Sequence, residues 1–139
     1  KTYLICALGR TACYQSLPVR YFRTSDLFLE LSCAQLAGRY LTFRKQLANI
    51  PLLILDDWGL KRFSDEESHE VLELIELRYQ NNSTIISSQL PYTNWHELFP
   101  DPTIADAVLD RIIHNSYKFD LSGESMRKVL AKKDFERES

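Results

Sequence analysis

Two spacings of apolar residues alternate along this chain, one suited to helices and one to buried strands. Leu, Ala and Cys crowd residues 4–15, which read as a helix, and residues 18–23 (PVRYFR) read as a short strand. Ser25 and Asp26 supply an N-cap for a second helix, expected to reach about Ala48 with Gly38 as its weak point, before Asn49 and Pro51 break it. Residues 51–55 (PLLIL) have no polar interruption, as suits a strand of a parallel sheet covered on both faces. Ser64 and Glu67 form a capping box for a helix to about Tyr79. A turn at Asn81 and Asn82 leads into a strand at 83–88 (STIISS), which Pro91 ends. A short amphipathic piece at 94–99, a helix at 104–115 and a strand at 117–121 follow. A last helix is expected from Glu124, with residues 132–139 as a charged, fraying tail. Alternation of this kind predicts an α/β fold around a mostly parallel sheet, in one domain over residues 1–131.

Composition narrows the picture only a little. No apolar run approaches the roughly 20 residues that span a bilayer, so no membrane association is expected. Cys6, Cys13 and Cys33 form no CxxC or Cys/His cluster and read as buried, reduced thiols of a cytoplasmic protein. The net charge of −2 does not announce a nucleic-acid partner. Its distribution is uneven, with seven Lys/Arg against two Asp/Glu in residues 1–50 and three against twelve in 51–110. Such a split leaves one face positive or a mixed, solvated surface.

The chemistry gathers where apolar strands end. Residues 51–57 (PLLILDD) either place Asp56 and Asp57 at the carboxyl edge of a parallel sheet, where open α/β folds bind ligands, or end in a pair of acids in an ordinary turn. A strand-end carboxylate is what a P-loop ATPase uses to hold Mg2+, a role for Asp56, with Asp57 orienting the attacking water. Lys1 and Thr2, directly ahead of a helix, match the last two positions of the phosphate loop G-x-x-x-x-G-K-[ST]. Lys1 would then reach the β- and γ-phosphates of ATP, and the Thr2 hydroxyl would bind Mg2+. Gln89, at the tip of the 83–88 strand, offers an amide to the γ-phosphate or the water, or is a turn residue before Pro91. Arg111 and Arg127 are surface arginines or guanidinium groups for a transferring phosphoryl. The aromatics Tyr21, Phe22 and Phe28, and likewise Tyr92, Trp95 and Phe99, read as core; Trp58 is placed to cover the site.

Together these segments resemble the IstB family, helper ATPases encoded beside the transposase in one class of bacterial insertion sequences. The resemblance is carried by LLILDDWGL and by the run from ELRYQNNSTIISSQ through DPTIADAVLDRI to GESMRK, and spans Lys1 to about Lys128. It implies an AAA+ P-loop fold, a three-layer sandwich, related to DnaC-type helicase loaders. It also implies that Lys1 and Thr2 end Walker A and that Asp56 and Asp57 are Walker B. Gln89 falls at sensor 1, Arg111 at an arginine finger acting on a neighbouring subunit, and Arg127 at sensor 2. The implied activity is ATP-dependent self-assembly on duplex DNA, DNA bending, and recruitment or stimulation of a transposase in the bacterial cytoplasm. Arg39, Arg44 and Lys45 are the candidate DNA-phosphate contacts.

Asp57 stands where many AAA+ proteins have Glu, and Gln89 where many have Asn, so slow, timer-like turnover is expected. The family also has an N-terminal region, a central first strand and a glycine loop ahead of Lys1. A chain starting at Lys1 is therefore expected to have an incomplete sheet and weak or no nucleotide binding. Two other readings are a DnaC-type helicase loader and a non-catalytic remnant of such an ATPase.

Overall fold

The apolar run at 52–55 forms the heart of a parallel sheet in the computed structural model, which describes residues 1–123 and 125–138. Among them, β1 (Val19–Arg23), β2 (Leu52–Trp58) and β3 (Ser83–Ser88) pair in the order β1-β2-β3. Ile54 lies opposite Tyr21 on one side and Ile85 on the other. Because side chains alternate along a strand, β2 feeds two separate cores. Leu52 and Ile54 pack with Ile5 of α1 (Thr2–Tyr14) on one face. Leu53 and Leu55 pack on the other face in a larger core. That core takes Leu27 and Leu31 from α2 (Thr24–Leu36), Leu47 from α3 (Tyr40–Asn49), Val71 and Leu74 from α4 (Asp65–Arg78), and Val108 from α5 (Pro102–Ile113). Each such aliphatic side chain stabilises the fold by about 1.5–3 kcal/mol relative to exposure. Helices on both faces give the three-layer α/β architecture the sequence implies.

Local chemistry explains the boundaries. Ser64 Oγ accepts from the Glu67 amide at 3.1 Å while Glu67 returns a carboxylate to the Ser64 amide at 2.9 Å, the expected capping box. Asp101 caps α5 through the Thr103 amide, with Pro102 in the first turn. Gly9 lets α1 approach the sheet closely, since a Cβ there would lie 2.9 Å from Ile54 Cδ1.

Several expectations are corrected. The long second helix is two helices, because Gly38 adopts φ +68° and turns the chain between α2 and α3. Ser25 and Asp26 do not cap α2, which starts one residue earlier and has no side-chain cap. Segment 94–99 is part of a 3₁₀ helix, Tyr92–Leu98. Residues 117–121 form no strand, since no strand among the described residues lies beside them to pair with; Tyr117 is 92% exposed. The last helix, α6 (Met126–Glu138), runs through Lys132 without a break, while its expected start, Glu124, lies outside the described residues, as does Ser139. All three cysteines are exposed, because the sheet covers only the face of α1 that carries Ile5 and Gly9, and Cys33 lies on the outer side of α2. No helix of the described residues is long and apolar enough to cross a membrane.

Candidate functional site

Asp56 ends the run of buried residues on β2 and is itself only 2% exposed. Period two places it on the face of Leu52 and Ile54, the face that α1 covers, so the start of α1 meets it. Thr2 Oγ1 donates to Asp56 Oδ2 at 2.8 Å. The Tyr21 hydroxyl, from β1, donates to the same oxygen at 2.8 Å. The Asp57 amide donates to Oδ1 at 2.9 Å, and Thr24 Oγ1 donates to the Asp56 backbone carbonyl at 2.8 Å. Burial, the largest influence, pushes the Asp56 carboxyl up; the donors from Thr2, Tyr21, the Asp57 amide and Ser87 together outweigh it and hold the group below its ordinary value. Tyr21 is pushed up to about 12, first by burial and then by the bond to Asp56, so it stays a neutral donor.

Asp57 does not continue the alternation. The register slips between Leu55 and Trp58, and Asp57 takes φ +55°, a left-handed conformation that Asp tolerates better than most residues. The bulge re-aims its carboxylate towards Arg23, whose Nε lies 3.9 Å away. Lys1 Nζ donates to the Ser88 carbonyl at 2.5 Å, and Ser88 Oγ donates to the Trp58 carbonyl at 2.6 Å. The ends of β2 and β3 and the start of α1 are thereby tied together, and Gln89 follows at the surface next to them.

Lys1, Thr2, Asp56, Asp57 and Gln89 thus meet at one sheet edge. The distal candidates do not join them. Arg111 lies on α5, where Nη2 donates to Glu76 Oε1 of α4 at 2.8 Å and Nη1 to the Ala107 carbonyl at 2.8 Å. Arg127 is exposed near the start of α6. Arg39 precedes α3 and is exposed, as is Lys45, while Arg44 is paired with Glu73 and stacked on the Tyr40 ring. Trp58 does not cover the site: it is buried among Phe63 and Trp95, in the core on the opposite face. Tyr21 was expected in the core and instead reaches Asp56, while Tyr92 is partly exposed. Tyr21, Arg23 and Thr24 carry no sequence signal of a site. The alternation in VRYFR puts Val19, Tyr21 and Arg23 on one face, but only the pairing register shows that this face leads to Asp56.

The arrangement suits a phosphate with a hard cation. The N-terminus of α1 has no side-chain cap and carries the positive end of the helix dipole, and Lys1 adds a charge. A hydroxyl and a carboxylate 2.8 Å apart form the oxygen donor pair that Mg2+ takes when phosphates and waters complete its shell. No cluster of three His, Cys, Asp or Glu that would hold a metal by protein ligands alone occurs among the described residues.

Residues 1–134 match the family model described as "IstB-like ATP binding protein". An insertion sequence ATP-binding protein of Sinorhizobium fredii is 47% identical over 133 residues, covering 96% of this chain and 54% of that protein. The corresponding IS21 protein of Pseudomonas aeruginosa is 33% identical over 127 residues, covering 91% of this chain and 48% of its own length. The chain spans about half the length of the curated relatives it matches. Among solved structures, the DnaC helicase loader superposes with TM-score 0.64 at 25% identity, covering 79% of this chain and 67% of that one. AMPPCP-bound DnaA from Aquifex aeolicus gives TM-score 0.70 at 19% identity, covering 97% of this chain and 41% of that one. These likenesses establish the AAA+ P-loop fold.

Proposed function

The chain belongs to the IstB-like ATP-binding family of insertion sequences, and from that premise we propose that it forms the nucleotide-binding part of an ATPase that helps transposition. The observation that carries this reading is the 2.8 Å bond from Thr2 at the start of α1 to Asp56 at the end of β2. Residues 54 positions apart in the chain are brought together as a hydroxyl–carboxylate pair beside a helix N-terminus. Thr2 and Asp56 hold Mg2+, and Lys1 reaches the β- and γ-phosphates of ATP. When bound, the cation neutralises charge that develops on the β- and γ-phosphate oxygens. Asp57 and Gln89 orient the attacking water, Arg127 contacts the nucleotide, and Arg111 acts on the ATP of a neighbouring subunit. In this reading the glycine loop that the family resemblance implies ahead of Lys1 would complete the phosphate cradle.

The partners in this reading are duplex DNA, a transposase and further copies of the chain. Exposed Arg39 and Lys45 supply phosphate contacts that are largely independent of sequence, with Arg44 held back by Glu73. The likeness to the DnaC loader supports a second reading, a helicase loader built on the same core. Capture of a transposase rather than a replicative helicase by the purified protein separates the two.

The test is ATP hydrolysis by the protein carrying the glycine loop ahead of Lys1, with and without duplex DNA. Hydrolysis that rises with duplex DNA and disappears in Asp56→Asn is the expected result. A folded protein that neither binds nor hydrolyses ATP overturns the reading.

A further inference from the structure

Asp56 has two hydroxyl groups on one oxygen, and only one of them comes from the phosphate-loop side. Thr2 arrives from the N-terminus of α1, whereas Tyr21 arrives from the neighbouring strand β1. In the register Arg23 lies beside Asp56 and Tyr21 beside Ile54, so Tyr21 approaches on the diagonal. A tyrosine is long enough to span the diagonal between these parallel strands, and a serine or threonine is not. Tyr21 is 40% exposed and contributes little to either core, so packing does not account for its direction.

The remaining bonds show what the tyrosine adds. The Asp57 amide holds Oδ1, and Thr24 holds the backbone carbonyl. Without Tyr21 the carboxylate would be held by Thr2, that amide and Ser87 of β3 alone, and it would lose one of these anchors whenever the Thr2 oxygen turned to a cation. Tyr21 adds, from a strand outside the loop, a 2.8 Å bond to Oδ2, the oxygen that Thr2 also holds. We infer that Tyr21 is a positioning residue for cation binding: its hydroxyl holds the Asp56 carboxylate in the orientation that takes Mg2+, or a water of Mg2+, beside Thr2. This rests on the reading of Thr2 and Asp56 as the magnesium pair. Partners that orient metal-binding groups are commonly worth 10–100-fold in metal affinity.

The experiment follows the affinity of a fluorescent ATP analogue as Mg2+ is raised, in the protein with its glycine loop, for wild type, Tyr21→Phe and Tyr21→Leu. Both variants should stay folded at the assay temperature, bind the analogue without Mg2+ about as wild type does, and need roughly tenfold more Mg2+ for half of the metal-dependent gain. Wild-type affinity that ignores Mg2+ overturns the magnesium pair itself. Wild-type affinity that responds to Mg2+, with an unchanged requirement in Tyr21→Phe, overturns the tyrosine's role alone. A shift in Tyr21→Leu but not in Tyr21→Phe assigns the effect to the ring and also overturns it.

Discussion

Arg111 and Glu76 join α5 to α4 through a 2.8 Å bond from Nη2 to Oε1, and the same guanidinium holds the Ala107 carbonyl at 2.8 Å. Within a single subunit Arg111 therefore has partners and stays on the helical layer. If it serves a neighbour's ATP, it must give up Glu76 on assembly. Glu76→Gln should then lower the protein concentration at which hydrolysis begins, at a stability cost of about 1 kcal/mol or less, since the pair is partly exposed. Arg111→Ala should lose roughly 10³-fold or more of the assembled rate while still binding nucleotide. Hydrolysis measured against protein concentration checks both.

Arg78 is the buried charge on which the helical layer depends. It is 1% exposed and donates to the carbonyls of Leu47, Ile50 and Ser83 and to Thr84 Oγ1. Burial lowers it to about 10, which leaves it charged at neutral pH. One side chain thus ties the end of α4 to the end of α3 and the start of β3. Arg78→Met should cost about 3–5 kcal/mol by stranding those acceptors. Arg78→Lys should recover little, because an ammonium cannot reproduce the planar fork. Urea unfolding measures both.

Tyr40 should make stability fall at alkaline pH. Its hydroxyl donates to Glu70 Oε1 at 2.5 Å, and burial first, then that bond, pushes it up to about 12. The folded state favours the neutral phenol, so the contribution is complete below about pH 10 and is lost as pH rises from 10 towards 12. Tyr21, also raised to about 12, acts in the same window. Tyr40→Phe should lose about 1 kcal/mol at pH 8 and show a shallower decline above pH 10, read from unfolding curves across that range.

Gly9 sets the distance between α1 and the sheet. A Cβ there meets Ile54 Cδ1 at 2.9 Å and Val19 Cγ1 at 3.6 Å. Gly9→Leu should lift the helix, destabilise the fold by about 1–3 kcal/mol and separate Thr2 from Asp56. Nucleotide affinity should fall more than the loss of stability alone explains, as titration at a temperature where the variant remains folded would show.

Salt dependence tests the DNA surface. Removing Arg39 or Lys45 should reduce the slope of log K against log salt by roughly 0.9 for each phosphate that the variant no longer neutralises. Arg44→Ala should change it less, because Glu73 already occupies that guanidinium. Fluorescence anisotropy with labelled duplex at several salt concentrations supplies the slopes.

Much of this molecule is legible in one dimension. The unbroken run before Asp56 and Asp57 announces a buried parallel strand with acids at its end, because only a strand covered on both faces is apolar at every position. Ser64 and Glu67 announce their helix because a capping box is local. Lys1 and Thr2 at the start of α1 suggest phosphate chemistry only together with the helix, strand, helix and acidic strand that follow them. What depends on distant segments meeting was not legible. Gly38 could weaken a helix or turn the chain, and packing of α2 and α3 on the sheet chose the turn. Tyr21 carries no mark separating it from a core aromatic until the register of β1 against β2 brings it to Asp56. Residues 117–121 have a strand's pattern but no partner among the described residues, and a strand exists only by pairing. Sequence by itself determined the elements marked by local periodicity and capping, β2 and α4 foremost, and the chemical groups at their ends. Tertiary structure alone decided which groups meet, because hydrogen bonds between strands and helices far apart in the chain are set by register and packing.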